Sequence, residues 1–172
     1  MVRFVEIVAV VLVAITMALT LAHALELPGK LRLDREQYFA VQTIYYPGFT
    51  IGGGAEILGI LVLALLLYLT PFGGARFLWT LSALALLVAV HGIYWVFTHP
   101  VNNFWVRDVE LSGLGSTFFS ALAPKTEPGD WKSLRDVWEY SHVARAALAM
   151  LSLIAITIAV TAGHPASEPG SG

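Results

Sequence analysis

Four long apolar runs dominate the hydrophobic pattern of this chain. They cover residues 4–25, with Glu6 near the start; 51–69, containing Glu56; 77–97, with His91 as the only ionisable residue; and 143–161, with Arg145 near the start. Each approaches the ~20 residues that cross ~30 Å of hydrocarbon. Lipid offers no hydrogen-bond partner to an open strand, so helices are the expected form. The pattern predicts an all-α, integral-membrane four-helix bundle, antiparallel, with two long loops on one side. Residues 1–162 read as a single four-span domain, and the Pro/Gly/Ser-rich residues 163–172 as a disordered tail.

The first run imitates a secretory signal, because Arg3 precedes it and Ala22-His23-Ala24 resembles a cleavage site. It exceeds the usual 7–15-residue apolar region of a signal, and further spans follow, so it reads as a retained helix. Between spans two and three lies only Thr70-Pro71-Phe72-Gly73-Gly74-Ala75-Arg76, a turn that predicts an antiparallel hairpin. Residues 26–50 and 98–142 form the long connections. Within the second, 111–123 reads either as an interfacial segment or as an ordinary loop. Pro128-Gly129-Asp130 is a breaker followed by a capping residue, and no Gly or Pro occurs from 131 to 161. The fourth helix is therefore expected to be ~46 Å long and to start before the membrane.

Composition agrees with this pattern. The 172 residues are 57% hydrophobic and 13% charged, with mean hydropathy +0.72, against about 45–50% and 25% in soluble domains. A net charge of −2 without a basic run argues against a nucleic-acid partner. The absence of cysteine excludes disulfides, thiolate metal sites and a cysteine nucleophile. Lys30, Arg32, Arg35, Arg107, Lys125, Lys132 and Arg135 flank the long loops, against Arg3 and Arg76 opposite. That bias favours long loops inside a cell membrane and both termini together outside.

Antiparallel connectivity also sets depth. His23 and Glu26 close span one, Glu56 opens span two, His91 and His99 lie toward the end of span three, and His142 and Arg145 open span four. All converge on the long-loop side. Helical spacing aligns Thr16, Thr20 and His23; Gly52, Glu56, Gly59 and Leu63; His91, Tyr94, Trp95 and Thr98; and Arg135, Trp138, His142 and Arg145. A carboxylate inside a span is costly and calls for a partner. Arg145 is the only cation inside the four runs, so Glu56, His142 and Arg145 are expected in one cluster, with His23 close by and His91 as its floor. Glu6, Asp34, Glu36 and Glu110 read as solvated or interfacial charges, and Trp95, Trp105, Trp131 and Trp138 as an aromatic belt.

Two chemistries fit these residues. Histidine, glutamate and arginine around an apolar pocket could deprotonate and orient a phenolic or carbonyl compound without metal. Alternatively, Glu139-Tyr140-Ser141-His142 is a Glu-x-x-His unit of the kind used in diiron bundles, and a metal set would draw on Glu56, Glu139, His142 and His23. No second such unit exists, so the site is read as metal-free, with the cofactor unassigned.

The layout resembles the anthrone oxygenase-like family of small four-span membrane proteins. The resemblance rests on His99-Pro100-Val101-Asn102-Asn103 after span three. It also rests on Trp131, Leu134, Arg135, Trp138, Glu139, His142 and Arg145 entering span four. It implies an oxidoreductase that oxidises a lipophilic aromatic or quinone-like compound with molecular oxygen, and it marks Asn102, Trp138, His142 and Arg145. Tyr45-Tyr46-Pro47-Gly48 and Gly52-Gly53-Gly54-Ala55-Glu56 depart from the characterised oxygenases, which bears on the substrate more than on the fold. The combined expectation is a catalytic group of His142, Arg145, Glu56 and His23, with His91, Trp95, Asn102 and Trp138 binding the substrate. The expected partners are a lipophilic small molecule and the lipid bilayer, with a homo-oligomer or a partner membrane protein also compatible. The competing expectation is a non-enzymatic membrane subunit or a lipid- or quinone-binding module.

Overall fold

A computed structural model describes residues 2–105 and 130–162. The described residues contain helices and turns and no strand. The helices are α1 (Val2–Lys30), α2 (Arg35–Gln42), α3 (Gly48–Gly52), α4 (Gly54–Leu69), α5 (Ala75–Ile93), α6 (His99–Trp105) and α7 (Trp131–Ala162). Four segments are long and apolar enough to cross a membrane: Val2–Lys30, Gly48–Leu69, Ala75–Asn102 and Trp131–Ala162. The interfacial reading of 111–123, the Pro128-Gly129 breaker and the disordered tail at 163–172 lie outside the described residues, as does Glu110.

Each long helix turns one stripe inward. On α1 the buried positions Val5, Ala9, Val13, Thr16, Thr20 and His23 recur every three or four residues, the repeat of a single helical face. Val5, Ala9 and Val13 meet Leu63 and Leu66 of α4, Ala83 and Leu87 of α5, and Ala155, Ile156 and Ala159 of α7 in one apolar core. Phe4, Ile7, Leu61, Leu65, Leu78 and Leu151 point outward, as expected of faces solvated by lipid. Small residues set the helix spacing. A Cβ on Gly59 would stand 3.1 Å from Leu87 Cδ2 and 3.6 Å from Leu12 Cβ, so glycine admits the close approach of α1, α4 and α5.

The hairpin turn places Gly73 at φ +86°, a left-handed conformation that glycine adopts without Cβ strain. α2 is fastened by a capping box, with Gln37 N–H donating to Asp34 Oδ1 at 2.9 Å. Asp130 caps α7 through Lys132 N–H at 3.2 Å.

Several expected boundaries move. α1 runs on to Lys30 with Pro28 inside it. The only hydrogen bond Pro28 forfeits lies within the last turns, so the helix tolerates it. Span two is broken at Gly53 into α3 and α4. Span three continues past Phe97 through a π-helical turn, Tyr94–Thr98, into α6. Pro100 has no N–H for the carbonyl four residues back, and the ladder widens just ahead of it.

Two side-chain readings are also corrected. Glu6 is not a solvated charge, since it is buried and ion-paired with Arg76 of α5. Trp105 and Trp138 are not belt residues. They are buried with Tyr38, Tyr45 and Val101 in a second, aromatic core.

Candidate functional site

A cavity of about 520 Å³ opens between the two cores. α1 contributes Thr16, Thr20 and His23; the connection into α3 contributes Tyr45, Tyr46 and Phe49; and α4 contributes Glu56. His91, Tyr94, Trp95 and Asn102 come from the α5–α6 segment, and Trp138, His142 and Arg145 from α7. All eight residues singled out from sequence therefore line one cavity. Thr16 and Thr20 turn their hydroxyls back onto the carbonyls of Leu12 and Thr16, each at 3.0 Å. The stripe they form is satisfied within its own helix.

At one wall stands a buried charge cluster. Glu56 is 4% exposed and Arg145 8%. Arg145 Nη2 donates to Glu56 Oε2 at 2.8 Å, and His91 Nδ1 lies 2.8 Å from Oε1. Trp95 Nε1–H donates to His91 Nε2 at 2.8 Å. An indole only donates, so Nε2 carries no proton, and Nδ1–H is the donor to Glu56. Both carboxylate oxygens are thus engaged. Glu56 holds Arg145 and His91 in place. His91 is a side wall rather than a floor, with 29% of its side chain exposed.

The histidine of α7 differs. His142 Nδ1 lies 2.9 Å from the Trp138 carbonyl, which can only accept, so this nitrogen bears the proton. Nε2 carries the lone pair, which accepts from Arg145 Nη1 at 3.4 Å. The hydrogen-bond network thereby sets the tautomer. The His23 ring stands 4.4 Å from that of His142, edge-on, and contacts Tyr45, Phe49 and Trp138. Trp138 is fixed by donating to Asn102 Oδ1 at 2.6 Å, and the Arg145 guanidinium sits 5.1 Å from the centre of the Tyr94 ring.

Beneath the cavity lies a second polar network that the sequence reading missed. Lys30, placed by that reading in a loop, is buried; its Nζ is 2.9 Å from Glu26 and 3.5 Å from Glu139. It also sits 4.6 Å over the rings of both Tyr45 and Trp138. Tyr38 donates to Glu139 at 2.9 Å and Tyr45 to Glu26 at 2.5 Å. Burial, reinforced by these carboxylates, pushes the hydroxyls of both tyrosines up from their ordinary value. Burial does the same to Tyr46. All three remain protonated donors at neutral pH. The available sequence signal was the spacing of His23, Glu26 and Lys30, one turn apart on a helix that had to continue through Pro28.

The alternative metal set does not assemble. Glu56 is committed to Arg145 and His91, whereas Glu139 lies with Lys30 and Tyr38. Among the described residues no three His, Asp or Glu side chains converge to hold a metal. The Glu-x-x-His spacing presents Glu139 and His142 to different neighbours.

Comparison with family models, with curated proteins and with solved structures returns no match to this chain.

Proposed function

We propose that the chain is an integral multi-pass membrane protein, an antiparallel bundle with both long connections on one side. In this reading it is an oxidoreductase of the oxygenase type, acting on a lipophilic aromatic phenol or quinone-like compound in the cavity. The observation that carries the reading is the His142 Nε2 lone pair beside the Arg145 cation, on the wall of a cavity otherwise largely aromatic and apolar. A base next to a cation suits removal of a weakly acidic proton and stabilisation of the resulting oxyanion. An aryl ring would stack among Tyr94, Trp95 and Trp138. The anion then passes two electrons to molecular oxygen; overall, a diaryl methylene and O₂ give a ketone and water.

The test is oxygen uptake by purified protein in mild detergent. With an anthrone as probe, one O₂ is expected to be consumed per anthraquinone formed, above the uncatalysed rate. No uptake across a panel of phenols and hydroquinones, with and without added iron or copper, overturns the oxidase reading. Binding of the same probes without uptake would favour the non-enzymatic module.

Both termini and the short turn are proposed to face outward. Because the chain has no cysteine, single introduced cysteines report directly. In intact cells a membrane-impermeant maleimide is expected to label Gly74→Cys, a position with nothing within 4 Å of an added Cβ. Glu36→Cys should react only after permeabilisation, and the reverse pattern inverts the topology.

A further inference from the structure

His142 is buried, yet as a base it must lose each proton it gains before it can act again. Among the groups around His23, Glu26 is the one that reaches water. Its side chain is 41% exposed, whereas that of His23 is 7% exposed. His23 Nδ1 is buried without a hydrogen-bond partner and stands 3.8 Å from Glu26 Oε2. An orphaned buried nitrogen is costly unless a partner is reached transiently. An approach of the two side chains by about 1 Å brings them within hydrogen-bond distance.

We propose that His23 and Glu26 form a proton relay between the cavity and the aqueous phase on the long-connection side. The proton accepted at His142 Nε2 passes across the ring contact to His23 Nε2. His23 releases its Nδ1 proton to the Glu26 carboxylate, and Glu26 gives it to water. No electron moves in these steps. The charged and titratable groups facing His23 fit this role. On its own helix stand Glu26 and Lys30; from the connection comes Tyr45; from α7 come His142 and Arg145. Lys30 and the Tyr45 hydroxyl both hold Glu26 Oε2, at 2.9 and 2.5 Å, which keeps the carboxylate beside His23. Glu26 acts through His23 and touches no substrate, so it is a positioning and relay group.

The inference rests on the proposed chemistry only for the origin of the proton, and its test needs no substrate. Full-length protein labelled with ¹⁵N-histidine is reconstituted in nanodiscs. The His23 signal is assigned by its loss in His23→Gln, and exchange of the His23 N–H with water is measured. Glu26→Gln is expected to slow exchange roughly a hundredfold, the low end of what positioned proton-transfer groups contribute. Glu26→Asp should keep most of it, and formate at constant ionic strength should restore it in Glu26→Gln. Unchanged exchange in Glu26→Gln overturns the relay. Slowing that formate does not reverse overturns it too, because that marks a structural role. Absence of oxygen uptake with exchange and rescue intact would remove the oxidase reading and leave the relay standing.

Discussion

Arg145→Ala is expected to cost about 3–5 kcal/mol of stability, the usual penalty for stranding one partner of a buried ion pair. Glu56 would keep its bond to His91 but lose the 2.8 Å charge-assisted contact on Oε2, while remaining 4% exposed. A carboxylate stranded inside a span costs roughly 2.5–3.5 kcal/mol on insertion scales near the helix centre, which agrees in size. The measurement is thermal or denaturant unfolding in a fixed detergent. The double variant Arg145→Ala/Glu56→Gln should recover part of the loss, because the uncompensated charge is gone. If the single and double variants melt together at the wild-type midpoint, the pair contributes nothing. Glu6→Gln is a useful comparison. It breaks the buried contact with Arg76 at the other end of the helices, so it should lower stability yet leave ligand handling at the cavity unchanged.

The second large effect concerns chemistry rather than stability. His142→Gln should reduce anthrone-dependent oxygen uptake by about 10²–10⁴-fold, the usual contribution of a positioned general base. Affinity for the same compound should change little, because Trp138, Trp95 and Tyr94 still line the cavity. Glutamine keeps an amide N–H for the Trp138 carbonyl and lacks the basic nitrogen. Measuring uptake alongside equilibrium binding separates the two contributions. Uptake within about threefold of wild type would exclude His142 as the base, since far larger losses follow removal of such a group.

The site was unevenly legible from sequence. Apolar run length identified the four candidate spanning helices, and the alternation in direction expected of them placed His23, Glu56, His91, His142 and Arg145 at one depth. That argument needs only connectivity and helical rise, which is why it reached the cavity residues without coordinates. It failed where a residue's environment depends on a distant segment. Glu6 looked like a rim charge because Arg76, its partner, lies 70 positions away. Trp105 and Trp138 looked like interfacial aromatics because nothing local reveals that α2 folds Tyr38 back over them. Lys30 was assigned to a loop because the apolar run ends at Leu25, whereas α1 continues to Lys30.

By itself, then, the sequence determined the helical character of the chain, the number of candidate spans and the end of the molecule where ionisable groups gather. These follow from periodicity and chain direction, which are local or one-dimensional properties. The roles within the cluster were decided only by the tertiary structure. Which nitrogen of His142 keeps a lone pair depends on the Trp138 carbonyl one turn away. Both carboxylate oxygens of Glu56 are engaged because His91 and Arg145 approach it from two other helices. Hydrogen bonds act within about 3 Å and along fixed directions, and no spacing rule in a sequence carries that information between helices.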